Sequence, residues 1–245
     1  MPRALITGGS AGLGAALAAE LASRGWHLVL TARHADRLAA VADRLGGPAF
    51  VTAIAGDVAD PDHRADLVAR IQLAGSLDLL VNNASSLGPT PLRELGRLSV
   101  ADVQRVLAVN LLGPFALTAA LLPALSAAGG MVIDISSDAA VEHYSGWGAY
   151  GASKAALDHL TLTFGVENPD IACYAIDPGD MQTEMQQAAF PGEDISDRRP
   201  PVDVVPALLD LIRRRPPGGR YRAGAAGAEP AAVGARSSDP ATADR

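Results

Sequence analysis

A single cysteine, Cys173, leaves no partner for an intramolecular disulfide in this chain of 245 residues, and no Cys-x-x-Cys pair or Cys/His cluster has the spacing of a metal site. No metal is expected, and a reducing compartment suits the lone thiol. Basic charge is also scarce: 20 Lys and Arg stand against 27 Asp and Glu, a formal net charge of −7. Such a surface has no excess to draw nucleic acid or anionic lipid, which leaves small neutral or anionic metabolites as candidates for binding. The opening "MPRALITGG" lacks both a basic segment leading into a long apolar run and an amphipathic arginine-rich stretch. A cytoplasmic location is the expectation.

Charge of either sign is missing from Val106 to Ile133, a length that could cross a bilayer. Asn110, Pro114, Pro123, Gly129 and Gly130 punctuate it. Those breaks favour a buried helix followed by a turn and a strand, with no membrane involved.

What the chain has in quantity is apolar side chains, 49% of its residues, enough for a sizeable core in one domain. They gather in runs: "ALIT", "HLVLTA", "AFVTAIAG", "LDLLVNNA", "MVIDIS" and "IACYAID". Continuous hydrophobicity without alternation suits strands covered on both faces. Helix-like stretches such as "GAALAAELASRG", "DRLAAVADRL" and "PDHRADLVARIQLAG" lie between them. This alternation predicts an α/β fold in which a doubly wound parallel sheet is sandwiched between helices in three layers. After the sixth run comes "PGDMQTEMQQAAFPGEDISDRRPP", whose Pro, Gly and charge predict a loop over a site at about 180–201. A helix-like "VDVVPALLDLIRRR" and a strand-like "GRYRAG" follow. The domain is expected to occupy 1–223, and 224–245, poor in large apolar groups, to be a disordered tail.

Gly8, Gly12 and Gly14 follow the first strand and open a helix. Without Cβ atoms the backbone there can turn tightly and approach a pyrophosphate, whose charge meets free N–H groups at the helix N-terminus. In dinucleotide sites of this kind an acid roughly 20 residues on usually holds the adenosine ribose. The second strand here ends instead on Ala32 and Arg33. A guanidinium binds a 2′-phosphate that a carboxylate would repel, so NADP(H) is expected over NAD(H). Further on, "YGASK" sets Tyr150 and Lys154 one helical turn apart, on one face.

Together "TGGSAGLG", "GDV" at 56–58, "NNA" at 82–84, "VNLLG" at 109–113, "ISS" at 135–137, "YGASK" and "DPG" at 177–179 resemble, in order and spacing, the short-chain dehydrogenase/reductase family in its short, single-domain form. The resemblance covers residues 3 to about 223. It implies a Rossmann-like fold and hydride transfer between NADP(H) and a carbonyl or secondary alcohol of a small molecule. Ser137, 13 positions before Tyr150, would hydrogen-bond the substrate oxygen. Tyr150 would be the acid or base, with Lys154 lowering the phenol's pKa and touching the nicotinamide ribose. Asn110 would hold a water joining Lys154 to solvent.

For the cofactor the resemblance implies Ser10 and Leu13 with the three glycines, Arg33 at the 2′-phosphate, and Asp57 and Val58 at the adenine. Asn83 and Ala84 would lie near the adenosine ribose, and Pro178, Gly179, Met181 and Thr183 at the nicotinamide, beside Tyr150 and Lys154. His143, Tyr144 and Trp147 on one loop and Met181, Met185 and Phe190 on the other would line an apolar substrate pocket. The family also implies a homodimer or homotetramer. Two departures stand out: Ala11 where many NADP-preferring relatives are basic, and Ser85 where "NNAG" is usual. A non-catalytic dinucleotide sensor acting through a protein partner is the alternative reading; such a protein would be free to lose Ser137, Tyr150 or Lys154, and all three are present.

Overall fold

The computed structural model describes residues 1–224 and 227–231. The strand-like runs become β1 (Arg3–Thr7), β2 (His27–Ala32), β3 (Val51–Ala55), β4 (Leu79–Asn82), β5 (Met131–Ile135) and β6 (Ala172–Asp177), followed by β7 (Gly219–Gly224) and β8 (Gly227–Pro230). Between them lie α1 (Gly12–Ser23), α2 (Ala35–Arg44), α3 (Pro61–Ala74), α4 (Val100–Leu107), α5 (Gly113–Ala128), α6 (Gly148–Glu167), α7 (Glu184–Ala189) and α8 (Val205–Arg214). The strands form one sheet in the order β3-β2-β1-β4-β5-β6-β7-β8, parallel throughout except for β8. The chain winds outward from β1 in both directions, so the C-terminal ends of β1 and β4 flank the point where the winding reverses.

Alternate residues of each strand feed two cores. Ala4 and Ile6 of β1 face α1, α2 and α8 through Leu17, Leu21, Leu38, Val41, Leu208 and Leu211, whereas Leu5 faces α3 and α5 through Leu67, Ile71, Leu117, Leu121 and Leu125. The expected three layers are those of the molecule.

The charge-free stretch is mostly one helical run, Val100–Ala128, the one helix among the described residues long and apolar enough to cross a membrane. Its Leu117, Leu121 and Leu125 are buried against the sheet. Pro114 stands in its first turn after the central break, Pro123 is accommodated within α5, and Gly129, left-handed at φ 55°, ends it before β5. At the centre the helix widens into a π-helical segment, Ala108–Leu112, which carries Asn110.

One expected boundary moves. Residues 227–230, read from sequence as part of a disordered tail, pair antiparallel with β7 from Tyr221↔Pro230 to Gly224↔Gly227. The ladder is made by backbone groups, so it needs no large side chains. Ala228, buried against α8, is enough to seat it. Residues 225–226 and 232–245 of the expected tail lie outside the described residues.

Candidate active site

The glycine turn joins β1 to α1. Gly8 has φ 69°, and a Cβ there would sit 2.6 Å from the Asn83 amide nitrogen; a Cβ on Gly14 would collide with the Gly8 carbonyl oxygen. Both positions are closed to any side chain by the chain itself. Gly12 differs, because a Cβ there would meet only the Thr183 methyl, at 3.5 Å, across an open groove. Ala11 precedes α1 without a side-chain cap, and no acid lies in the first turn. The first amides of α1 therefore face the groove without a side-chain partner, the donor set a pyrophosphate requires. Ser10 is half-buried beside it; the Leu13 side chain turns down into the core, leaving its backbone to the turn.

Around the turn, Asn83 and Ala84 close the end of β4. The Asn83 amide donates to the carbonyls of Thr7 and Gly8 at 2.9 and 3.2 Å, and the backbone N–H groups of both residues donate to the Thr7 hydroxyl at 3.0 Å. The Asn83 side chain thus braces the glycine turn. Arg33 is exposed just beyond β2, and Asp57 and Val58 follow β3, with the Asp57 carboxylate accepting from the Ala59 amide at 2.9 Å. Across the groove the chain after β6 bends at Pro178 and Gly179, passes Met181, which packs on the core, and reaches Thr183, which caps α7 through the Gln186 amide at 3.1 Å.

The second cluster lies at the end of β5 and the start of α6. Tyr150 is buried with Leu87, Ala139 and Ala189, and its ring meets the edge of Trp147 at 5.5 Å. Met185 and Phe190 pack on the same group, so Trp147, Met185 and Phe190 of the expected pocket come together. Tyr144 is exposed and donates to Asp138 at 3.0 Å, and His143 is exposed. The small residues of "YGASK" have separate reasons. A Cβ on Gly151 would lie 2.6 Å from the Ala139 carbonyl oxygen, so α6 reaches the Ser137 turn only because residue 151 is glycine. Ser153 donates to the Tyr150 carbonyl at 2.6 Å.

Ser137 donates to Asp138 at 2.9 Å, a partner that sequence reasoning did not give it. Burial pushes the Tyr150 phenol above its ordinary pKa, and the hydroxyls of Ser137 and Ser85 pull it back. The depressed phenol expected from the nearness of Lys154 is not what the protein on its own has. The Lys154 ammonium lies 5.6 Å from the ring centroid and donates to the Ile135 carbonyl at 2.6 Å. Burial brings Lys154 itself down to about 8, opposed by Asp134 and Asp158. Asp134, behind it, is pushed up to about 6 by burial, while accepting from Thr161 at 2.5 Å and Asn82 at 2.7 Å.

Asn110 is buried in the π-helical segment. Its Nδ2 donates to the Ser86 carbonyl at 2.9 Å and to Ser153 Oγ at 3.0 Å, while its Oδ1 accepts from the Ser86 amide at 2.8 Å and from Ser85 Oγ at 3.2 Å. All four side-chain bonds are made within the protein. The side chain joins the loop after β4 to α6. Ser85, noted in the sequence as one hydroxyl too many, is part of this group. Asn110→Ala should destabilise the fold by about 2–4 kcal/mol, since it leaves buried donors and acceptors unpaired, and urea unfolding will measure it. A loss below about 1 kcal/mol would contradict the bridging role.

The sequence model of the family described as short chain dehydrogenase matches residues 2–194. This chain belongs to that family. It is therefore an oxidoreductase of the short-chain dehydrogenase/reductase type, whose members bind NAD(P) and act on small molecules. It is 35% identical over 184 residues to serine 3-dehydrogenase of Agrobacterium fabrum, spanning 74% of this chain and 72% of that one. Among solved structures it resembles an alcohol dehydrogenase of the archaeon Thermococcus sibiricus complexed with 5-hydroxy-NADP, with a TM-score of 0.81 and 29% identity over 91% of this chain and 95% of that one. A short chain dehydrogenase of Shigella flexneri complexed with NADP gives a TM-score of 0.84 at 28% identity, over 91% and 96%. The groove above fits the cofactor of this family: the uncapped start of α1 and the open side of Gly12 are where its diphosphate would be held.

Proposed function

We propose that this dehydrogenase transfers hydride between NADP(H) and a carbonyl or secondary alcohol of a small, partly apolar molecule. The observation that carries the reading is the meeting of Ser137, Tyr150 and Lys154 at one end of the groove, under a cover of Trp147, Met185 and Phe190. The dinucleotide, when bound, supplies or accepts the hydride. The protein's part is proton transfer and placement. The Tyr150 phenol, protonated at neutral pH, gives its proton to the carbonyl oxygen. Ser137, turning from Asp138, donates a hydrogen bond to that oxygen as charge develops on it. Lys154 contributes positive charge below the phenol and reaches the ribose of the bound nucleotide. Exclusion of water falls to the α7 segment and to Trp147.

The preference for NADP(H) rests on Arg33 beside neutral Ala32, and the two solved relatives complexed with NADP or its 5-hydroxy form agree with it. The test is a scan for NADPH oxidation against aldehydes, ketones and quinones, together with NADP+ reduction in the presence of serine, chosen after the Agrobacterium relative. Turnover in any arm that Tyr150→Phe removes supports the reading; NADPH binding without turnover anywhere favours a dinucleotide sensor. We also propose a cytoplasmic location, in which the lone cysteine stays reduced. A homodimer or homotetramer is proposed from Leu112 and Phe115, which are 54% and 45% exposed near the middle of the long apolar helix. Light scattering at micromolar concentration should give at least twice the chain mass, and a monomer would refute it.

A further inference from the structure

Arg220 is buried in β7, its side chain 4% exposed, where sequence reading had only a short strand-like segment. Its Nε donates to Asp158 Oδ2 at 2.9 Å, and its Nη2 donates to the Ser137 carbonyl at 2.9 Å and stands 4.0 Å from Asp177 Oδ2. Each partner belongs to a different part of the site. Asp158 lies on α6 one turn beyond Lys154, Ser137 starts the turn after β5, and Asp177 accepts the Gly179 amide at 2.9 Å at the bend where the nicotinamide is expected. Arg222 adds a second cation 3.6 Å from Asp177, on the exposed side.

A buried ion pair is poor value as a device for stability, because desolvation offsets most of the attraction and apolar side chains of similar volume hold a fold as well. An apolar trio, however, cannot bond a carbonyl and a carboxylate at fixed angles while setting its charge beside a second carboxylate, and neither can lysine, which lacks the planar fork. We infer that Arg220 is a positioning residue that locks the Ser137 turn, α6 and the Pro178–Gly179 bend into one frame. The inference rests on the reading of Ser137, Tyr150 and Lys154 as the reacting set, and on the bend as the nicotinamide side of the groove.

The test uses Arg220→Met with Asp158→Leu in one chain, which removes both charges of the closest pair and leaves Asp177 its Arg222 and its Gly179 amide. This double variant should unfold cooperatively within about 4 °C of the parent. Hydrogen exchange of peptides spanning 136–140 and 177–183 should nevertheless quicken about tenfold or more, and NADPH should bind about tenfold more weakly, the worth of roughly one hydrogen bond. Arg220→Lys, which keeps the charge, should quicken exchange at 136–140 and fold as the parent does. Parent-like exchange in both segments with parent-like NADPH affinity in the double variant would overturn the inference; so would parent-like exchange at 136–140 in Arg220→Lys. Neither readout needs turnover. A failed carbonyl scan would count against the reductase reading while these measurements still decide the role of Arg220.

Discussion

Tyr150→Phe should lower turnover by roughly a hundred- to ten-thousandfold, the range for loss of a general acid, while NADPH binding changes less than about twofold. The ring is what packs: it is buried with Leu87, Ala139 and Ala189 and held at the edge of Trp147, and phenylalanine keeps all of those contacts. Only the proton is lost. The pH dependence follows from the two buried groups. The phenol is raised by burial, so Tyr150 stays protonated through neutral pH and sets no limb there. Lys154, brought down to about 8, loses its proton as pH rises through that value. Reduction should therefore be level below pH 8 and fall by about tenfold per pH unit above it. Lys154→Arg, which cannot deprotonate in this range, should remove that limb at a lower overall rate. Near-normal turnover in Tyr150→Phe, or an alkaline limb still at 8 in Lys154→Arg, would show that the acid and its neighbouring cation have been misassigned.

Most of the first six strands were legible because strands covered on both faces leave unbroken apolar runs, and helices because helix-like stretches alternate with those runs. β8 left no such trace: Gly227, Ala228, Glu229 and Pro230 pair through backbone alone, which composition does not encode. Ser137, Tyr150 and Lys154, which the family resemblance picked out, are brought near one another by the fold. The site was not legible where a role depends on which partner a polar group finds. Asn110 spends its amide on Ser86 and Ser153, Ser137 acquires Asp138, and Lys154 bonds Ile135, none of them a fixed spacing in the chain. Arg220 was hidden for the opposite reason. An arginine on a short strand near the end of a domain reads as solvent-exposed, and only the arrival of Asp158 and Asp177 from elsewhere in the chain makes it buried and ionic.

Arg33→Asp should reverse the choice of cofactor. Arg33 stands exposed one residue beyond β2, beside the half-buried methyl of Ala32, so no carboxylate there competes for a ribose hydroxyl or repels a 2′-phosphate. Removing the guanidinium costs NADPH a charge-assisted bond, and the new carboxylate adds repulsion, together about 1.5–3 kcal/mol or roughly ten- to 150-fold in Kd. NADH has no phosphate to lose, and an acid near this position can hold its ribose hydroxyls, so its affinity should hold or rise. Arg37 supplies the control. One turn further on, it is paired with Glu184 of α7 at 2.8 Å, and both side chains are more than half exposed. Such a surface pair contributes little, so Arg37→Gln should shift NADPH and NADH alike, by less than about fivefold. Fluorescence titration of both nucleotides on both variants reads the difference directly. If Arg33→Asp weakened the two cofactors equally, Arg33 would be a solvent-facing residue at a strand end, and the preference for NADP(H) would have lost its physical basis.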